Sequence, residues 1–257
     1  ANFENLLGSN FNDRLVGDGG ANIIEGAGGA DEMFGGNGVD TLNYTKSDTG
    51  VTVSLGDRLA FGGHAEGDTF SGFENIIGSA FSDQLTGDEG NNSLQGGEGA
   101  DTLDGANGFD TLSYDGSNTG VTVDLQLGVG IGGHAEGDLF SNVEGVSGSS
   151  FDDVFIGSIE DNRFFGANGD DQIFAGGGND VVRGDSGADI IDGGDGFDQV
   201  SYEDSDGSVF IDLENEFGSS GGHAEGDRII SIESVVGSRC NDIINGNADD
   251  NALYGGA

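Results

Sequence analysis

Residues 96–114 read GGEGADTLDGANGFDTLSY, with an aspartate recurring nine residues on, at Asp101 and Asp110, glycines ahead of each and leucine two places after. The same beat organises most of the chain. Anchored on the acidic or amide residue that closes each turn, one run holds Asp13, Asn22, Asp31 and Asp40, and a second holds Asp83, Asn92, Asp101 and Asp110. A third holds Asp153, Asn162, Asp171, Asp180, Asp189 and Asp198, and a fourth starts at Asp242 and Asn251. The residue two places after every anchor is apolar, from Leu15 and Ile24 through Ile244 and Leu253. A fixed short period is the mark of stacked repeats. Compositional disorder gives no reason for an apolar residue to keep that register.

A longer period lies above the nine. The step from Asp13 to Asp83 equals the step from Asp83 to Asp153, and the step from Asp153 to Asp242 is longer by two nonapeptides and a single residue. The nonapeptide runs span 8–44, 78–114, 148–202 and 237–257, and the linking coils span 45–77, 115–147 and 203–236. The linking coils are themselves alike, each carrying GGHAEGD. No stretch reads as a separate globular domain, so the expectation is one continuous solenoid over 1–257.

Each unit divides into six turn residues and three strand residues. Glycine supplies the sharp bends, and in a segment such as TLD the middle side chain points one way and its neighbours the other. Two units make a coil, and stacked coils pair their strands in parallel about 4.8 Å apart. The expected fold is all-β, a parallel β-roll or β-solenoid of short strands with longer-loop coils between the runs. Its core is thin, with one large inward side chain per nonapeptide, and many of the other residues are glycine. The entropy lost on ordering so much backbone exceeds what that burial returns. Something other than apolar burial must stabilise the turns.

Charge indicates what. The 257 residues include 48 acidic and 7 basic side chains, a formal net charge of −41. Such a surface repels nucleic-acid phosphates and anionic membranes and attracts cations. The 53 glycines are about three times the usual share, and proline is absent, as suits a fold that uses nearly every backbone N–H. No apolar run is long enough to span a membrane, which argues against membrane insertion by this segment. The opening and closing stretches read as cuts from a longer protein.

Coil stacking sets each anchor beside the one two units further on. The pairs are Asp13/Asp31, Asn22/Asp40, Asp83/Asp101, Asn92/Asp110, Asp153/Asp171, Asn162/Asp180, Asp171/Asp189 and Asp180/Asp198. Paired carboxylates repel unless a cation lies between them, and turn carbonyls can reach the same spot. The candidate glycines are Gly26, Gly28, Gly35, Gly36, Gly38, Gly96, Gly97, Gly99, Gly105, Gly166, Gly176, Gly177, Gly184, Gly193 and Gly194. Six to eight hard oxygen donors in an irregular cage suit Ca²⁺ better than Mg²⁺, and zinc would want histidine or cysteine. With eight pairs, the load is on the order of eight ions or more. The sites holding Asn22, Asn92 or Asn162 are weaker or differently built, unless those asparagines only satisfy turn amides. Within GGHAEGD, Glu66 and Asp68, Glu136 and Asp138, and Glu225 and Asp227 read as a further calcium turn or as a solvated acidic loop. Asp242 opens the fourth run in the same role.

The nonapeptide resembles the RTX, or haemolysin-type, calcium-binding repeat, glycine-glycine-x-glycine-x-aspartate-x-apolar-x. The matches include GGNGVDTLN (35–43), GGEGADTLD (96–104), GANGFDTLS (105–113), GANGDDQIF (166–174) and GGDGFDQVS (193–201). AGGGNDVVR (175–183) has alanine first, and GSNFNDRLV (8–16) and GSAFSDQLT (78–86) lack the middle glycine, which puts full ligation by those turns in question. The resemblance implies a parallel β-roll with calcium between coils, type I secretion from Gram-negative bacteria, and a chain that folds on meeting calcium outside the cell. It does not choose among the proteases, lipases, toxins, adhesins and epimerases that carry such repeats.

Other signals are absorbed by the repeat. His64, His134 and His223 sit at equivalent positions far apart, not in one metal site. GSSGG (218–222) has the form of a serine-nucleophile motif without its strand–elbow–helix context. Cys240 aligns with Phe11, Phe81 and Phe151, which predicts a small packed residue. The expectation is a non-enzymatic, calcium-binding extension module of a secreted protein, with calcium and neighbouring modules as partners. The alternatives are an adhesive module that binds cell-surface polysaccharide through its calcium, and the tail of an enzyme or toxin whose catalytic domain lies elsewhere.

Overall fold

The turn-and-strand beat is realised throughout the computed structural model, which describes residues 4–256. Those residues form 28 strands of three residues each, no α-helix, and three single-turn 3-10 helices at Gly63–Ala65, Gly133–Ala135 and Gly222–Ala224. The fold is all-β, with largely parallel pairing, as the spacing predicts. By contacts the chain divides into two compact units, Ala1–Gly116 with Val129–Val143, and Ser117–Gly128 with Glu144–Ala257.

In the first unit, one parallel sheet runs in the order Asn5–Leu7, Ile23–Glu25, Thr41–Asn43, Asn75–Ile77, Ser93–Gln95 and Thr111–Ser113. The alternate strands pair separately, as Arg14–Val16, Glu32–Phe34 and Thr69–Ser71, and as Thr52–Ser54, Gln84–Thr86, Thr102–Asp104 and Leu139–Ser141. Within a run the register is two nonapeptides, so Leu6 faces Ile24 and Leu85 faces Leu103. At the first link, Leu59–Phe61 folds back antiparallel on Thr52–Ser54 before the chain rejoins the stack.

The second unit repeats this plan. Gly145–Ser147, Arg163–Phe165, Val181–Arg183, Gln199–Ser201, Ser234–Val236 and Ala252–Tyr254 form one parallel ladder. Thr122–Asp124, Val154–Ile156, Gln172–Phe174, Ile190–Asp192 and Arg228–Ile230 form the other, and Phe210–Asp212 pairs with Ile243–Asn245.

The core is the pair of columns formed by the middle residue of each strand. Ile24, Leu42, Ile76, Leu94 and Leu112 line one in the first unit, with Met33, Leu85 and Leu103 opposite, all buried. In the second, Phe164, Val182, Val200 and Val235 stand across from Phe155, Ile173, Ile191 and Ile229. Phe155 and Phe164 stack face to face with centroids 5.8 Å apart. Leu15 and Ile244 are only half-buried and Leu253 is exposed, because the coils that carry them are covered on one side only. Cys240 corrects its expectation: it is exposed, as are Phe11, Phe81 and Phe151. Its position is at the turn tip, where side chains leave the stack.

One inward side chain per strand makes each of them count. Ile173→Ala, at a fully buried position, is expected to lower unfolding free energy by about 2–5 kcal/mol. Ile243→Ala, at an exposed strand position, is expected to change it by about 0.5 kcal/mol or less. Denaturant titration in saturating calcium measures both.

Candidate metal centre

Count each unit so that its anchor is position six. Stacking at two units per coil brings the backbone N–H of one anchor to the carboxylate of the next on the same side. Asp13 N–H donates to Asp31 Oδ1 at 2.8 Å, Asn22 to Asp40 at 2.8 Å, Asp83 to Asp101 at 2.8 Å and Asn92 to Asp110 at 2.7 Å. In the third run Asp153 donates to Asp171 at 2.8 Å, Asn162 to Asp180 at 2.6 Å, Asp171 to Asp189 at 3.0 Å and Asp180 to Asp198 at 2.8 Å. All eight pairs expected from the spacing are neighbours, joined through one carboxylate oxygen and one amide. A charge-assisted bond of this kind is roughly twice as strong as a neutral one.

The links continue the same ladder. Asp31, Asp101 and Asp189 donate their N–H groups to Oδ1 of Asp68, Asp138 and Asp227 at 2.8, 2.9 and 3.0 Å. On the other side Asp40 and Asp198 donate to Oε2 of Glu74 and Glu233 at 2.8 and 2.9 Å. Beyond each link, Val51, Val121 and Val209 donate to Oδ1 of Asp83, Asp153 and Asp242 at 2.6, 2.7 and 2.8 Å.

The second carboxylate oxygen divides the turns into two kinds. In the leading coil of each run the turn closes on itself. The N–H of Ser9, Ser79, Ser149 and Ser238 donates to Oδ2 of Asp13, Asp83, Asp153 and Asp242 at 2.6, 2.5, 2.7 and 2.8 Å. The hydroxyl of each serine donates to the same carboxylate. The asparagine turns close likewise, with Asp18, Asp88 and Ser158 N–H groups on Oδ1 of Asn22, Asn92 and Asn162 at 2.8, 2.7 and 2.7 Å.

In the later coils the turn is open. Position two (Ala27, Gly36, Gly97, Ala106, Ala167, Gly176, Asp185 and Gly194) takes φ between 64° and 117°, and position four is always glycine, with φ between 111° and 159°. The position-two N–H that closes the serine turns makes no such bond here. Oδ2 of Asp31, Asp40, Asp101, Asp171, Asp180, Asp189 and Asp198 is left buried and without a hydrogen bond. Each of those side chains is at most 1% exposed. Unpaired buried carboxylate oxygens are costly, so seven at one repeat position mark a shared requirement.

Burial dominates the electrostatics. It pushes the carboxyls of Asp101 and Asp189 up to about 8, and those of Asp171 and Asp180 up to about 7; backbone N–H donors lower them and neighbouring carboxylates raise them further. Asp68, Asp138 and Asp227 rise to about 6, again through burial, although a tyrosine hydroxyl donates to each. Asp13, in an exposed closed turn, is held below the ordinary range by its bonds from Ser9.

Among the described residues no three His, Cys, Asp or Glu side chains converge, so backbone carbonyls must supply the remainder of any cage. Stacking brings turn carbonyls close to the first-position glycines: a methyl group on Gly17, Gly78, Gly87 or Gly166 would run into the carbonyl oxygen of Gly35, Gly96, Gly105 or Gly184 in the next coil. First-position glycines also make room for the carboxylate itself. A methyl on Gly26, Gly96, Gly166 or Gly184 would strike Oδ2 of that unit's own aspartate, and one on Gly35, Gly105 or Gly193 would crowd it. Asp180 has Ala175 at this position instead, fully buried. Of the other candidate glycines, Gly36, Gly97, Gly176 and Gly194 hold the second position, Gly28 and Gly177 the third, and Gly38 and Gly99 the fourth. A buried, anionic, oxygen-only site of this kind suits Ca²⁺.

Two sets of residues escaped sequence reasoning. Tyr44, Tyr114 and Tyr202 are buried and donate their hydroxyls to Oδ2 of Asp68, Asp138 and Asp227 at 3.0, 3.0 and 2.7 Å. The signal was present, since each lies four places after the last anchor of its run. The serines of the leading coils also repeat at position two. The glutamates of GGHAEGD do not face the anchors: Oε2 of Glu66, Glu136 and Glu225 accepts the N–H of Gly62, Gly132 and Gly221 at 3.1, 2.8 and 2.8 Å, closing the 3-10 turn.

Comparison with known families agrees with this geometry. The model of the RTX calcium-binding nonapeptide repeat matches residues 7–42, 77–112, 147–182, 165–200 and 231–257. A search of curated proteins finds no match to the chain.

Because the folded carboxyls titrate at about 6 to 8 and unfolded ones near 4, the folded chain binds more protons over that interval. Without metal, the stability that these groups contribute is therefore fully present below about pH 4 and lost as pH rises through about 8. The melting temperature in chelator is expected to be higher at pH 5 than at pH 8. Equal values would mean that these carboxylates do not oppose folding.

Proposed function

Since the chain belongs to the family of RTX calcium-binding nonapeptide repeats, we propose that this β-roll acts outside the cell as a module that calcium folds and stiffens. The calcium-binding β-roll itself follows from family and fold. The repeat is structural rather than catalytic. The observation that carries the reading is the set of buried, unpartnered Oδ2 atoms of Asp31, Asp40, Asp101, Asp171, Asp180, Asp189 and Asp198. Each demands a positive charge that the chain, with 7 basic residues against 48 acidic ones, does not supply.

A cation at each open turn converts a repulsive stack into a bridged one, so metal binding becomes folding free energy. The ligands are Oδ2 of the open-turn aspartates with carbonyl oxygens of the adjoining turns, for a total on the order of eight ions. In a calcium-poor cytosol the acidic chain stays expanded, a state compatible with export. Outside, calcium closes the stack. The folded module then extends or supports neighbouring modules of a longer secreted protein. No helix among the described residues is long and apolar enough to cross a membrane.

Far-UV circular dichroism in EGTA, followed by titration with Ca²⁺ or Mg²⁺ to several millimolar, tests this. The expected result is a cooperative gain of β signal with Ca²⁺ and little with Mg²⁺. A full β spectrum already in EGTA at pH 8 would overturn the proposal.

A further inference from the structure

The repeat pattern treats every anchor as equivalent, and the geometry does not. Oδ2 of Asp83 accepts the backbone N–H of Ser79 at 2.5 Å, and the Ser79 hydroxyl lies across the carboxylate, 2.9 Å from Oδ1 and 3.1 Å from Oδ2. Ser79 Oγ is itself fixed by accepting the N–H of Phe81 at 3.1 Å. Ser149 and Ser238 likewise set their backbone N–H on Oδ2 and their hydroxyl on Oδ1 of Asp153 and Asp242, with Oγ accepting the N–H of Phe151 and Cys240. Ser9 sets both its N–H and its hydroxyl on Oδ2 of Asp13, and its Oγ accepts the N–H of Phe11. A cation at Oδ2 would have to displace a backbone donor that the turn holds in place, on a carboxylate that the serine hydroxyl already engages.

The asparagine turns need no counter-charge at all. Asn92 accepts Asp88 N–H through Oδ1 and donates through Nδ2 to the carbonyl of Glu74 at 2.9 Å. Asn162 repeats this with Ser158 and the carbonyl of Glu144. At the far end of each run the tyrosine hydroxyl occupies Oδ2 of Asp68, Asp138 or Asp227, while Oδ1 takes an anchor N–H.

We propose, resting on the reading of open turns as calcium sites, that the leading coils and the tyrosine-capped link turns bind no metal. Serine, asparagine and tyrosine do there what the cation does elsewhere, so calcium is confined to the open turns of each run. Asp13, Asp83, Asp153 and Asp242, with Asn22, Asn92, Asn162, Asp68, Asp138 and Asp227, are then bracing residues and not ligands. Each leading coil is in addition a latent site. Ser79→Gly with Phe81→Gly turns GSAFSD into the open-turn pattern, frees the left-handed conformation at both positions and removes both donors from Asp83.

The test is bound calcium per chain, by equilibrium dialysis and atomic emission on the whole chain at saturating Ca²⁺, with circular dichroism to confirm folding. Asp83→Asn is expected to keep the wild-type count, because asparagine already serves in the neighbouring closed turns. Asp101→Asn is expected to lose about one ion, and the double variant S79G/F81G to gain about one. Loss of an ion from Asp83→Asn, or no gain in a folded S79G/F81G, would overturn the inference and leave the calcium-folding function standing. A wild-type chain that binds no calcium would sink both.

Discussion

A carboxylate held by one amide and abandoned on its other oxygen is the interaction on which this architecture turns. Oδ1 of each open-turn aspartate ties its coil to the preceding one through an anchor N–H, and Oδ2 is buried where no protein donor reaches it. The first contact sets the stacking register. The second makes the stack conditional, because burial raises the carboxyls of Asp101 and Asp189 to about 8. At neutral pH such groups either take a proton or take a cation, and a charge of −41 over 257 residues leaves the cation as the general solution.

Stability is distributed unevenly as a result. The leading coils and the link turns complete their hydrogen bonds from within, through serine, asparagine and the buried tyrosines. The open turns between them do not. A thin core of single apolar side chains, such as Ile24, Leu103 and Val182, fixes which way each strand faces but cannot by itself hold glycine-rich turns in order. The chain thus alternates coils that complete their own hydrogen bonds with coils that leave a buried carboxylate oxygen without a donor.

Much of this was legible beforehand. The apolar residue two places after each anchor predicted the inward columns, and the anchors expected to pair across coils are the neighbours found at Asp83/Asp101 and Asp171/Asp189. The equivalence of the anchors was not so readable. Asp83 and Asp101 occupy the same place in the nonapeptide, yet one is saturated by Ser79 and the other is not. The difference lies in φ at position two, and alanine or aspartate there is left-handed in open turns, as at Ala106 and Asp185. Residue type alone therefore does not report it. Cys240, expected to pack, stands at an exposed turn tip, since alignment with a phenylalanine says nothing about which way either side chain points.

The sequence by itself determined the period, the all-β stack, the identity of the inward residues and the need for a counter-charge. Those follow from local rules: glycine bends, strands alternate, and like charges one coil apart meet. Only the tertiary structure decided which carboxylate oxygens find a donor. That depends on backbone dihedrals in each turn and on side chains brought from distant links, as when Tyr114 reaches Asp138, and no nonapeptide pattern contains a partner that lies beyond its own repeat.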